Sequence, residues 1–180
     1  TCLFLEDVMN TLKGLNRFVG GCALACCALV ASPAMANSPA EFVEKASATG
    51  VAEIEISRMA IGKTSSTDIE SYAVEIIKDQ TDANRDLKKI AGEQDLPVPT
   101  HEEVLSKAKP MMLKVQEGDS FDAAYAVSQV KAREDAIELF KQQVDTPASP
   151  ALKAFAEKYL PKFEMHLVMA KKLVDAHHKS

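Results

Sequence analysis

Tryptophan is absent and aromatic residues make up only 6% of the chain, so aliphatic side chains must build most of any core. Glycine is sparse, at 7 of 180 residues, and no phosphate-binding glycine loop, nucleophile elbow or zinc spacing occurs. The net charge is -5 and no basic run stands out beyond residue 36, which argues against nucleic acid as a partner. No repeat of about 20–50 residues and no low-complexity tract breaks the chain, which excludes solenoids and propellers. The four cysteines (Cys2, Cys22, Cys26 and Cys27) all lie near the start, so the rest of the chain uses neither disulfides nor thiol chemistry.

The same early stretch reads as a targeting segment. Met9 opens a short region carrying Lys13 and Arg17, the apolar run "FVGGCALACCALVA" follows, and "AMA" ends it at Ala36. Basic, apolar and small-x-small in that order describe a secretory signal peptide, with cleavage expected after Ala36. The apolar run is short for a membrane span. Residues 1–8 read as an extended gene start. A retained anchor is one alternative. A lipoprotein is another, because "ALAC" ending at Cys26 resembles a lipidation site, with Ala23 where a larger aliphatic residue would stand. Residues 1–36 carry two cations and two anions, so the remaining domain, 37–180, keeps the charge of -5.

Abundant Ala, Glu, Lys, Val and Leu favour helix in what remains. Ser38, Pro39 and Glu41 form a helix start with a capping box, and the helix is expected to reach about Lys63. Phe42, Val43, Ala46, Ile54, Ile56, Met59 and Ala60 share its apolar face. "SSTD", with Thr67 and Glu70 at capping-box spacing, opens a second helix to about Gln94. A connection of about 25 residues follows. Pro97 and Pro99 stop the helix, Thr100 with Glu103 restarts a short one, Pro110 is expected to interrupt it, and Gly118 ends it. Asp119 is expected to cap a third helix to about Val144, and Ser149-Pro150 a fourth to about His177, kinked at Pro161. Short links within each pair and a long one between them predict an all-α, ferritin-like four-helix bundle with a long crossover between the second and third helices. An up-and-down bundle is the alternative, and the direction of the second and third helices separates the two.

One polar residue interrupts each apolar stripe. "VAEIEIS" places Glu53 in the middle of the first, Gln80 lies on the second, Arg133 on the third with Gln129 one turn before it, and His166 on the fourth. Each lies near the midpoint of its helix, so the four should occupy one level. A buried carboxylate needs a partner or takes up a proton, and Arg133 is the formal cation expected there. The spacing therefore predicts a Glu53–Arg133 ion pair with Gln80 and His166 around it, fixing helix register. A metal reading would use Glu53 and His166, but Glu-x-x-His fails because position 163 is Phe, and Arg133 opposes a cation; no metal or other cofactor is favoured. His177 and His178 suit a helix C-terminus, Met111, Met112, Met165 and Met169 suit core or rim, and Tyr125 and Tyr159 suit core with the hydroxyl at the edge.

The segments "EFVEKASATGVAEIEISRMA", "SYAVEIIKDQTDANRDLKKIA", "SFDAAYAVSQVKAREDAIELF" and "LKAFAEKYLPKFEMHLVMAKKL" resemble, in that order, the exported bacterial proteins called domain of unknown function 4142. The resemblance covers about residues 39–176. It implies a ferritin-like fold and a periplasmic or outer-membrane setting, with no activity established for the class. Glu53 and His166 match the family pattern, whereas Gln80 and Arg133 stand where the pattern has His. If those positions hold metal in other members, this chain has lost two ligands, and Arg133 replaces a cation's charge with its own. The expected function is that of a non-enzymatic helical-bundle protein of the cell envelope with a structural or interaction role. The alternative is a ferritin-like metal-binding protein with oxidase or metal-handling activity. Expected partners are an envelope protein or a second copy, with no nucleic acid and no stable membrane span after cleavage.

Overall fold

The computed structural model describes residues 37–116 and 121–178, and the side chains of these except 107–108 and 111–116. The expected signal segment with its cysteines, the Asp119 cap, Gly118, and the Met111 and Met112 side chains lie outside the described residues. Those described belong to one unit spanning Met35–Ser180. Its elements are α1 (Pro39–Lys63), α2 (Thr67–Glu93), α3 (His101–Gln116), α4 (Phe121–Asp145) and α5 (Pro150–His177). The architecture is all-helical, with no strand among the described residues.

The local signals act much as the sequence implies. Ser38 Oγ accepts from the Glu41 N–H while Glu41 accepts from the Ser38 N–H, the reciprocal capping box. Thr100 and Glu103 form the same box ahead of α3, and Ser149 accepts from the Leu152 N–H at the start of α5. Two expectations need correction. Ser66, not Thr67, is the cap residue of α2; its hydroxyl donates to Asp68, and the Asp68 carboxylate accepts from the Ile69 N–H. Pro110 does not interrupt α3, which continues to Gln116. Proline leaves the carbonyl four residues back without a partner, and both Ser106 and Pro110 face water, which satisfies it. Helix α5 likewise passes through Pro161, whose orphaned carbonyl on Glu157 lies on an exposed face.

Cross-helix contacts set the directions. α1 and α2 pack most extensively together, as do α4 and α5, and α1 also meets α4 while α2 meets α5. Phe42 touches Phe140 while Ser57 bonds Tyr125, so α1 and α4 are antiparallel. Asp68 reaches His177, Asp79 reaches Lys162 and Asp86 reaches Lys158, so α2 and α5 are antiparallel. Lys141 pairs with Glu164 and Lys171 with Glu134, which makes α4 and α5 antiparallel as well. α2 and α4 therefore share a direction, and α3, which lies between them in the chain, packs against α1 and α4.

Two apolar clusters build the core. One holds Phe42, Val43, Leu87, Phe140, Phe155 and Phe163, the other Ile56, Ile69, Tyr72, Ile76, Tyr125 and Leu173. The middle of every long helix lies between them, so the clusters leave a layer at mid-height. In the first cluster Phe140 stands edge-on to Phe163 at 4.8 Å and to Phe42 at 5.4 Å. Phe140→Ala opens a cavity among these rings and is expected to cost about 3–5 kcal/mol. Val127→Ala, at a position 58% exposed, should stay within about 0.5 kcal/mol of the parent. Urea unfolding followed by circular dichroism checks both.

Candidate functional site

The mid-height layer is polar. Glu53 on α1, Gln80 on α2, Gln129 and Arg133 on α4, and His166 on α5 are all buried, and Glu53, Arg133 and His166 are 0% exposed. Arg133 Nη2 lies 2.8 Å from Glu53 Oε2. Neither Glu53 oxygen meets an N–H in line, so charge holds the pair more than an aligned hydrogen bond does. With its amide oxygen turned to the guanidinium, Gln80 accepts from Arg133 Nη1 at 2.8 Å and Nη2 at 3.2 Å. The Phe163 ring covers the guanidinium with its centroid 5.4 Å from Cζ. Burial pushes the Glu53 carboxyl above the usual carboxylate range, against the pull of the Arg133 charge and the Gln129 amide.

His166 does not join this pair. Its Nε2 lies 3.2 Å from Asp79 Oδ2 and 4.0 Å from Glu75 Oε1, both on α2. Neither ring nitrogen makes a hydrogen bond. Tyr72 and Phe163 hold the ring, each with its centroid 6.4 Å away. Burial, helped by the Arg133 charge, lowers the imidazole to about 4 despite Asp79, which keeps it neutral at pH 7. Asp79 is buried too, and Lys162 Nζ binds its other oxygen at 2.6 Å. The layer thus has two centres, Glu53–Arg133–Gln80 and Glu75–Asp79–His166.

Glu75 and Asp79 escape a stripe projection because they border the apolar face of α2 instead of interrupting it. The available signal is their i, i+4 spacing beside Gln80, which puts two carboxylates on one edge. Only the packing of α2 on α5 sets that edge opposite His166. Glu75, Asp79 and His166 are the group of three metal-ligating side chains found among the described residues, their ligand atoms all within 4.8 Å of one another. Glu53 is not part of it.

His177, Tyr125, Tyr159, Met165 and Met169 fall outside these two centres. His177 Nε2 lies 3.1 Å from both Asp68 oxygens, which ties the end of α5 to the start of α2. Tyr159 is buried, and its hydroxyl donates at 2.7 Å to the partly exposed Asp86. The Tyr125 hydroxyl, expected at the edge, is instead buried on the Ser57 hydroxyl of α1 at 3.1 Å, which supplies the partner a buried hydroxyl needs. Met165 is exposed on the rim and Met169 packs against the second cluster.

The Arg133 contact predicts a pH-dependent variant. Arg133→Met removes the charge that opposes burial, so the folded-state value of Glu53 rises further above its unfolded one. Such a group favours folding at low pH and loses that advantage as pH rises. The variant should therefore lose about 3–5 kcal/mol at pH 7, with the deficit relative to the parent shrinking as pH falls toward the carboxylate range. The Glu53→Gln/Arg133→Met double variant should recover much of that loss, as thermal melts across pH would show. His166 has the opposite sign. Its value falls from 6.5 to about 4 on folding, so stability is complete above the unfolded value and is lost as pH drops through that window. Metal-free parent should lose roughly 3 kcal/mol from this group between those limits, and His166→Gln should flatten that part of the profile in denaturant titrations.

No curated protein and no solved structure matches the chain. A family profile described as "Domain of unknown function (DUF4142)" matches residues 25–173, which takes in α1, α2, α4, most of α5 and the polar layer between them. On that match the chain belongs to the DUF4142 family.

Proposed function

We propose that this chain is a non-enzymatic, exported helical-bundle protein of the cell envelope, with a structural or interaction role. The four long helices are read as a ferritin-like bundle, since α2 and α4 share a direction. The observation that carries the reading is the buried Arg133–Glu53 contact at mid-height. A ferritin-like di-iron centre needs carboxylates and imidazoles converging at that level. Here a permanent cation occupies it, with Gln80 turned toward it, so the donor set does not suit redox chemistry on a central pair of ions. The segment ending at Ala36 supports export, and no described helix is long and apolar enough to cross a membrane.

Export is tested by expressing the chain in a Gram-negative host, separating periplasm from membranes and measuring intact mass. Release into the periplasm with a mature N-terminus at Asn37 is the expected result. An uncleaved chain held in the inner membrane, or a diacylated species beginning at Cys26, would replace the soluble-periplasm reading by an anchored one.

A further inference from the structure

The geometry points to a divalent transition-metal site at the seam between α2 and α5, built from His166 Nε2, Asp79 Oδ2 and Glu75 Oε1. One imidazole with two carboxylates is a donor set that suits zinc and its first-row neighbours. Ligands bound to zinc at about 2.0–2.1 Å in tetrahedral geometry lie roughly 3.3 Å apart. His166 Nε2 and Asp79 Oδ2 are already 3.2 Å apart, and Glu75 Oε1 is 4.0 Å from the imidazole nitrogen. The third ligand needs only a side-chain rotation, which Glu75, 38% exposed, is free to make.

The histidine lifts this group above an ordinary pair of acidic residues. His166 is 0% exposed, its ring is fixed between Tyr72 and Phe163, and its Nε2 faces the two carboxylates without making a hydrogen bond. A buried nitrogen without a hydrogen-bond partner, aimed at two carboxylates, has the arrangement of a metal ligand. The Glu75 side chain is 38% exposed, so an ion can reach the site from that side and water can fill the outer coordination positions.

Two cations bear on the site. Lys162 Nζ sits 2.6 Å from Asp79 Oδ1, on the oxygen the metal does not need, and its side chain is 42% exposed. It can swing into water when the ion arrives, so it acts as a competitor that weakens affinity without blocking the site. Arg133 is held by hydrogen bonds to Gln80 and by Glu53, which offsets part of its charge. The site thus takes a single ion off the bundle centre, and the Arg133–Glu53 pair is undisturbed by it.

The test is titration of the purified protein, made without a histidine tag and stripped with chelator, with zinc chloride by calorimetry and with cobalt chloride by visible absorption. The expected result is one equivalent bound. Glu75→Gln, a partly exposed change that leaves the core intact, should weaken binding about tenfold, and His166→Gln or Asp79→Asn should weaken it more. Lys162→Met should tighten zinc several-fold by releasing Asp79, an outcome that adventitious surface binding would not give. The double variant His177→Ala/His178→Ala should bind as the parent does. The proposal is overturned if the parent binds no stoichiometric zinc. It is equally overturned if Glu75→Gln and Lys162→Met leave affinity unchanged, or if the loss follows His177 and His178 instead, which would place zinc at the end of α5.

Discussion

A guanidinium with no exposure to water must find its counter-charge and hydrogen-bond acceptors inside the protein, and Arg133 imposes that demand on three helices together. It draws Glu53 from α1, Gln80 from α2 and the face of Phe163 from α5. Desolvating both charges costs several kcal/mol each, and their attraction offsets this only when geometry is right. The pair therefore adds little net stability while making misregistered packings expensive. A helix shifted by one turn would carry its polar residue into an apolar cluster and leave the others unpaired. Small hydrophobic side chains tolerate slippage far better, so the aliphatic clusters above and below could not enforce register alone.

The same layer sets the chemistry. By filling mid-height with a permanent positive charge, the chain makes the bundle centre hostile to a cation. The other two carboxylates near this level, Glu75 and Asp79, lie to one side, on the α2 edge that faces α5. Asp79 shows the division most clearly. One oxygen is taken by Lys162 near the surface, and the other faces the buried imidazole of His166. Two adjacent residues on α2 thereby serve different centres, Gln80 turning inward to the arginine and Asp79 sideways to the histidine.

Pairs at the ends complete the picture. Asp68 with His177, and Asp86 with Lys158 and Tyr159, run along the α2–α5 seam at successive levels and repeat the antiparallel direction that Asp79 and Lys162 set. The exposed members of these pairs contribute modestly to stability. Their value lies in alignment, since a seam with carboxylates on α2 and basic side chains on α5 disfavours the wrong pairing of helices.

Much of this was legible before any coordinates. Capping residues and proline positions located the starts of α1, α3 and α5, because a cap acts on its own helix within a few residues and needs no distant partner. Periodicity placed Glu53, Gln80, Arg133 and His166 on inward faces, since heading and height follow from 1.5 Å and 100° per residue. Pro110 and the α2 cap depart from what residue type implies, because solvent exposure and a neighbouring carboxylate decide them. What one-dimensional projection could not reach was which helix faces which. His166 belongs with Asp79 and Glu75 instead of with Glu53 because α5 packs on α2, and that adjacency comes from how four apolar faces close on one another. A stripe reports that a side chain points inward; only the packed bundle decides what it meets there.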